Sequence, residues 1–180
     1  MIRDTSIVTA YAAANPEGRI NLILDNFLMF ESILNGLELF LIRELQDIIE
    51  SEHIKGFYDR VQSSTLSDHT ADLALRNINI REFLNSNYRL SFLVKDHDNI
   101  HIISDKVTIY RRMRKDYDVI AAHLIDTKSS EFNLFYSYIQ DSRCMKEIAA
   151  DNDLDYEVYR KQIYRIKRLF ISSVLFYFNY

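Results

Sequence analysis

Apolar residues recur three or four positions apart along most of this chain, the spacing of one buried helix face. From Ile20 to about Ile54 the series Leu24, Phe27, Leu28, Leu34, Leu37, Leu41, Leu45, Ile48 and Ile49 predicts one long helix, or two helices joined near Gly36. Residues Phe27–Ile42 are apolar around much of the circumference, so that helix needs cover on more than one side: it is a central helix or the seam of a dimer. Residues 1–18 read as a lead-in, with Pro16-Glu17-Gly18 as the boundary before the first helix. Ser63-Ser64-Thr65 reads as a linker, after which Ser67 is placed to cap a helix running to about Asn85, with Leu73, Ile80, Phe83 and Leu84 inward. Helical spacing returns from Asp105 to about Ile125 through Val107, Ile109, Tyr110, Met113, Val119 and Ile120. Between these two helices, Tyr88, Leu90, Phe92 and Val94 alternate, His97-Asp98-Asn99 resembles a turn, and Ile100 and Ile102 alternate again. That pattern fits a short β-hairpin near 88–104, and a helix fits it nearly as well.

The last fifty residues are punctuated more sharply. Ser130-Glu131 starts a helix with Phe132, Phe135, Tyr136 and Ile139 inward, and Gln140-Asp141-Ser142 breaks it. A second helix follows over Arg143–Asp151 with Ser142 as its cap, then a turn at Asn152-Asp153-Leu154. Asp155 is a strong N-cap for a third helix, whose inner stripe is Tyr159, Ile163 and Ile166. Ile148 supplies the buried side chain of the second helix, Ala149 is small enough for a close helix crossing, and Leu154 plugs the turn from inside. The stripe leaves Tyr156, Glu157, Arg160, Lys161, Tyr164 and Arg165 on the outer face.

Composition supports a mainly α fold: a helical bundle with a C-terminal helix-turn-helix. Three Gly and one Pro in 180 residues are too few for the tight turns of a sheet-rich chain. The expected organisation is a helical region over 1–125, for dimerisation or partner binding, and a helix-turn-helix region with an apolar C-terminal helix over 126–180.

Charge adds a local feature to a net of −4. Ser142–Arg168 holds seven bases and five acids, so this segment is +2 and the remainder −6. Arg160–Arg168 has five bases and no acid, a cationic stripe suited to phosphates. A second basic cluster, Arg111-Arg112-Met113-Arg114-Lys115, reads as a solvated helix face, with an auxiliary phosphate-binding patch as the alternative.

Glu147-Ile148-Ala149, Leu154-Asp155, Tyr159-Arg160, Ile163 and Arg165 resemble the helix-turn-helix of the fourth conserved region of sigma factors. The same unit occurs in small phage and mobile-element transcription regulators of the ArpU and RinA type. The resemblance spans roughly residues 125–170. It implies base contacts from the first residues of the third helix, at Tyr156, Glu157, Arg160 and Lys161, with Tyr164 beside them and Arg165 and Lys167 suited to phosphates. It also implies double-stranded DNA as the partner, with RNA polymerase or another regulator as a second one. The chain departs from that family at Asn152, where an apolar residue is usual, and at Asp153, within a turn that usually holds Gly. Asp accepts left-handed geometry better than most residues, whereas Asn152 predicts a looser turn or a shifted register.

No catalytic constellation emerges, so the expectation is a regulator and not an enzyme. There is no Gly-rich phosphate loop and no nucleophile motif. Glu44, Asp47, Glu50 and Glu52 form a hydrated helix face. His97 and His101 lack a third metal ligand, and no cofactor is expected. One cysteine, Cys144, excludes an internal disulfide and fits a reducing, cytoplasmic setting. No run approaches the ~20 apolar residues of a membrane span. The apolar end, Leu169–Phe178, either continues the third helix into the core or forms the seam of a homodimer. The alternative to DNA binding is an all-helical interaction module, an inhibitor or adaptor of another regulator.

Overall fold

The computed structural model describes residues 2–57, 69–86, 100–126, 130–141 and 143–178. The fold is mainly α, and the described residues include no strand. In chain order the helices are α1 (Ile2–Ala13), α2 (Pro16–Asp25), α3 (Phe27–Phe57), α4 (His69–Asn85), α5 (Ile100–Asp126), α6 (Ser130–Gln140), α7 (Met145–Asp151) and α8 (Tyr156–Leu175), with a 3-10 turn at Phe176–Phe178. None of them is long and apolar enough to cross a membrane, among the residues described.

Several boundaries differ from the sequence expectations. The lead-in is a helix, α1, which buries Tyr11 completely and Ile7 and Val8 partly. Pro16 opens α2, where its missing N–H costs nothing, and the Asn15 carboxamide accepts the Gly18 N–H at 2.7 Å. The long apolar segment breaks at Asn26, not near Gly36. Asn26 donates its backbone N–H to Ile23 and its side-chain amide to Leu22, 2.8 Å away, closing α2 with its own polar groups. Gly36 lies inside α3 without a left-handed backbone. The second arm of the suggested hairpin is the first turn of α5, because Ile103, Val107 and Tyr110 bury at helical spacing. Its first arm and turn, like Ser63-Ser64-Thr65, Ser67 and His97, lie outside the described residues.

The chain divides into two compact units, Leu34–Arg112 and a discontinuous one of Met1–Ile33 with Met113–Tyr180. In the first, Leu34, Leu41, Leu45, Ile80, Phe83, Leu84, Val107 and Tyr110 form the core. Arg111 closes α4: its guanidinium donates to the carbonyls of Phe83 and Leu84, at 2.5 and 3.2 Å, and lies over the Phe83 ring. Thus one member of the second basic cluster is a helix cap.

In the discontinuous unit α8 packs against α2, α6 and α7. Phe170 is fully buried among His123, Phe132 and Phe135, with ring centroids 5.4, 6.3 and 5.9 Å away. Ile171, Val174 and Phe178 are buried as well, so the apolar C-terminal stretch does continue α8 into a core. A charged cluster sits in the same unit. The Asp116 carboxylate has no exposure, accepts the Tyr11 hydroxyl and pairs with Arg19 at 2.9 Å. Arg19 also lies between the Tyr11 and Phe178 rings, 5.8 and 5.5 Å from their centroids. Burial, then the adjoining carboxylate, raises the Tyr11 hydroxyl far above its ordinary pKa.

Candidate nucleic-acid interface

Helix, turn and helix over residues 145–175 begin with a short helix held at both ends. Glu147 accepts the Cys144 backbone N–H at 3.0 Å, satisfying a donor just before α7. Arg143 reaches the Asp141 carboxylate at 2.7 Å and also bonds Asp151 at the far end of α7. The hydrogen bonds from the Arg143 guanidinium and backbone N–H hold the half-buried Asp141 carboxyl below the usual carboxylate range. The expected cap, Ser142, lies outside the described residues; the capping position is Cys144, an exposed free thiol. Ile148 and Ala149 are buried, as their roles in the crossing require.

The turn is closed, and its closure explains the two unusual residues. Leu154 N–H bonds the Ala149 carbonyl at 2.9 Å and Asp153 N–H bonds that of Ala150 at 3.2 Å. This is a Schellman closure, which needs a left-handed residue one place after the helix cap. Asp153 supplies it with φ 53° in place of Gly. Asn152 is the cap itself and exposed, and its side chain donates to the Ile148 carbonyl at 2.8 Å. Its polarity therefore suits its position. Leu154 does not plug the turn: the closure directs it outward, 42 % exposed. Asp155 caps α8 as expected, accepting the Val158 N–H at 2.9 Å.

On α8 the buried face is Tyr159, Ile163, Ile166 and Phe170. Tyr156, Glu157, Arg160, Lys161, Tyr164 and Arg165 are all exposed. Lys161, Arg165 and Arg168, spaced by four and three, line up one above the other opposite the buried stripe. Arg160 is steered by an i,i+3 pair with Glu157 at 3.1 Å. Lys167 stands apart from this group. It is mostly covered, and its ammonium meets Asp25 at the end of α2, 2.5 Å away. Sequence reasoning placed Arg168 in the cationic stripe without assigning it a contact, although the seven-residue spacing from Lys161 points to it, and passed over Val158, exposed near the start of α8. It also had no signal for Asp25.

Beneath the exposed face lies a group of tyrosines. Burial raises the Tyr138 hydroxyl of α6, and Tyr164, Asp25 and Tyr156 add to that shift. Among the described residues the Tyr159 hydroxyl has no hydrogen-bond partner although it is buried, an arrangement that costs roughly 1–3 kcal/mol. Tyr159→Phe removes that cost while keeping the ring. We expect a gain of about 1 kcal/mol in urea denaturation, with the exposed face of α8 unaltered. A loss of stability would mean that the hydroxyl is satisfied.

Among the described residues no group of His, Cys, Asp and Glu is placed to hold a metal ion. The chain matches no family model, curated protein or solved structure.

Proposed function

We propose that the chain is a sequence-specific DNA-binding transcription regulator, acting in the cytoplasm, with α8 as its recognition helix. The observation that carries this reading is the exposure of the acid-free basic run: Arg160, Lys161, Arg165 and Arg168 face outward. They stand on a helix whose opposite side is locked into a core. A helix so mounted is suited to enter the major groove, with its first turns at base edges and later cations at phosphates. Arg160, held by Glu157, is the candidate base reader; Lys161, Arg165 and Arg168 are the candidate phosphate contacts. The resemblance to sigma-factor and phage-regulator units agrees with this assignment, and RNA polymerase fits as a second partner. A homodimer would set two copies of α8 on half-sites about 34 Å apart.

The test is a gel-shift titration of the whole protein on its own promoter and on random DNA at two salt concentrations. The expected result is promoter preference with affinity falling steeply as salt rises, because phosphate contacts release counterions. Arg160→Ala should cost about 1–3 kcal/mol on the preferred site and narrow its margin over random DNA. Asp25→Asn should act differently: by releasing Lys167 it tightens binding to all sequences alike and steepens the salt slope by about 1. Unchanged selectivity in Arg160→Ala would remove α8 from the recognition role.

A second reading draws on Leu154 and Val158, two exposed apolar side chains four residues apart beside Tyr156. Such a cluster also suits a pocket on another protein, as in an inhibitor or adaptor of a regulator. Absence of DNA binding at low salt would favour it.

A further inference from the structure

The first turn of α8 carries a side chain that neither the core nor the charges around it account for. Val158 is 62 % exposed, with the buried stripe of the helix beginning only at its neighbour Tyr159. A β-branched residue loses side-chain freedom in a helix, and here the described residues cover too little of the side chain to offset that loss. Its position is nevertheless fixed, since its backbone N–H is the one held by the Asp155 carboxylate. Lys161 and Arg165 follow it by three and seven residues, so the three side chains form one row along the open face. Valine leads that row and the two cations trail it.

Resting on the DNA-binding reading above, this order fixes what Val158 can meet. When trailing cations lie on phosphates, the leading end of a recognition helix is the part that reaches base edges in the major groove. Three of the four bases offer only donors and acceptors there, and an isopropyl group set against them leaves those groups without partners. Thymine alone adds an apolar group, its 5-methyl. We propose that Val158 is a specificity-determining residue that selects thymine, by packing its isopropyl group against the thymine 5-methyl. Arg160 lies two residues further on and so points to the other flank of the helix. It reads a different base pair, for which guanine is the usual match to a guanidinium. The preferred site therefore contains a thymine whose methyl is required, at a position distinct from the one Arg160 discriminates.

Deoxyuridine supplies the probe, because it pairs like thymidine and lacks only the methyl. A preferred duplex is first selected by the whole protein from a random pool, then resynthesised with deoxyuridine at one thymidine position at a time. Fluorescence anisotropy measures the affinity of each duplex. At one position the replacement should weaken binding about three- to fivefold, the value of one buried methyl. Val158→Ala should bind the thymidine duplex more weakly by a similar factor and should no longer distinguish deoxyuridine at that position. Circular dichroism checks that this variant stays folded, as expected for an exposed side chain. Indifference of the parent protein to deoxyuridine at every position overturns the proposal. So does an equal loss in the parent and in Val158→Ala. Recovery of no preferred duplex at all overturns the DNA-binding reading itself, and the role of the valine with it.

Discussion

Asp116→Ala is expected to destabilise the protein by about 3–5 kcal/mol, the cost of leaving a buried ion without its counterion. Asp116 has no exposure and Arg19 almost none, so water does not replace the missing carboxylate. The substitution also strands the Tyr11 hydroxyl, which Asp116 accepts. At this carboxylate the neighbouring helices α1, through Tyr11, and α2, through Arg19, meet α5, which is distant in sequence and supplies Asp116 itself. Arg19 extends the link to the C-terminal turn by donating to the Phe178 carbonyl at 3.5 Å. Urea denaturation measures the loss. The triple substitution Tyr11→Phe, Arg19→Met and Asp116→Leu should recover most of it, because it leaves no stranded hydroxyl and an apolar set of similar volume often matches or exceeds a buried ion pair. A loss below about 1 kcal/mol in Asp116→Ala would place that carboxylate in water.

Phe170→Ala is expected to have an effect of similar size, about 3–5 kcal/mol, by a different mechanism. The Phe170 ring is where α8 meets both α6, through Phe132 and Phe135, and the end of α5, through His123. Truncation leaves a cavity that three aromatic neighbours cannot collapse to fill, so the transfer and cavity terms add. Phe170→Leu fills most of the space and should cost about 1.5 kcal/mol or less. The pair also separates packing from recognition. At temperatures where Phe170→Ala remains folded, its exposed residues from Tyr156 to Arg165 are unchanged, so under the proposed DNA-binding role its affinity for DNA should fall only with the folded fraction. If truncation cost less than about 1 kcal/mol, the aromatic cluster would be looser than these ring distances imply.

The parts legible in the sequence were those governed by local chemistry. Periodicity placed Tyr159, Ile163 and Ile166 on one buried stripe, and the acidic oxygen of Asp155 marked the start of α8. The helix boundaries were harder, because a break depends on small differences between competing hydrogen bonds. Gly36 looked like the break, yet glycine weakens a helix by only about 1 kcal/mol, and 31 residues of α3 absorb that. Asn26 ends α2 by bonding backbone groups that the helix would otherwise use. Least legible were the long-range pairings. Asp116 sits in the sequence Lys115-Asp116-Tyr117-Asp118, which resembles any solvated surface. The Lys167 ammonium meets a carboxylate 142 residues away. Leu154 failed for another reason: a plug requires a turn that points it inward, and the left-handed Asp153 sends it out.

The continuity of α8 has one more consequence. Its 20 residues, at about 1.5 Å each, make a rod of roughly 30 Å that is buried along one face from Tyr159 to Val174. Its leading end has no joint of its own, so its orientation is inherited from the core before any partner arrives. Association through this end therefore loses little backbone freedom, and the entropic penalty that weakens loop-borne or disordered contacts is largely met during folding. The corollary is selectivity by shape: a rigid rod accepts partners that fit it and does not remodel itself for those that do not.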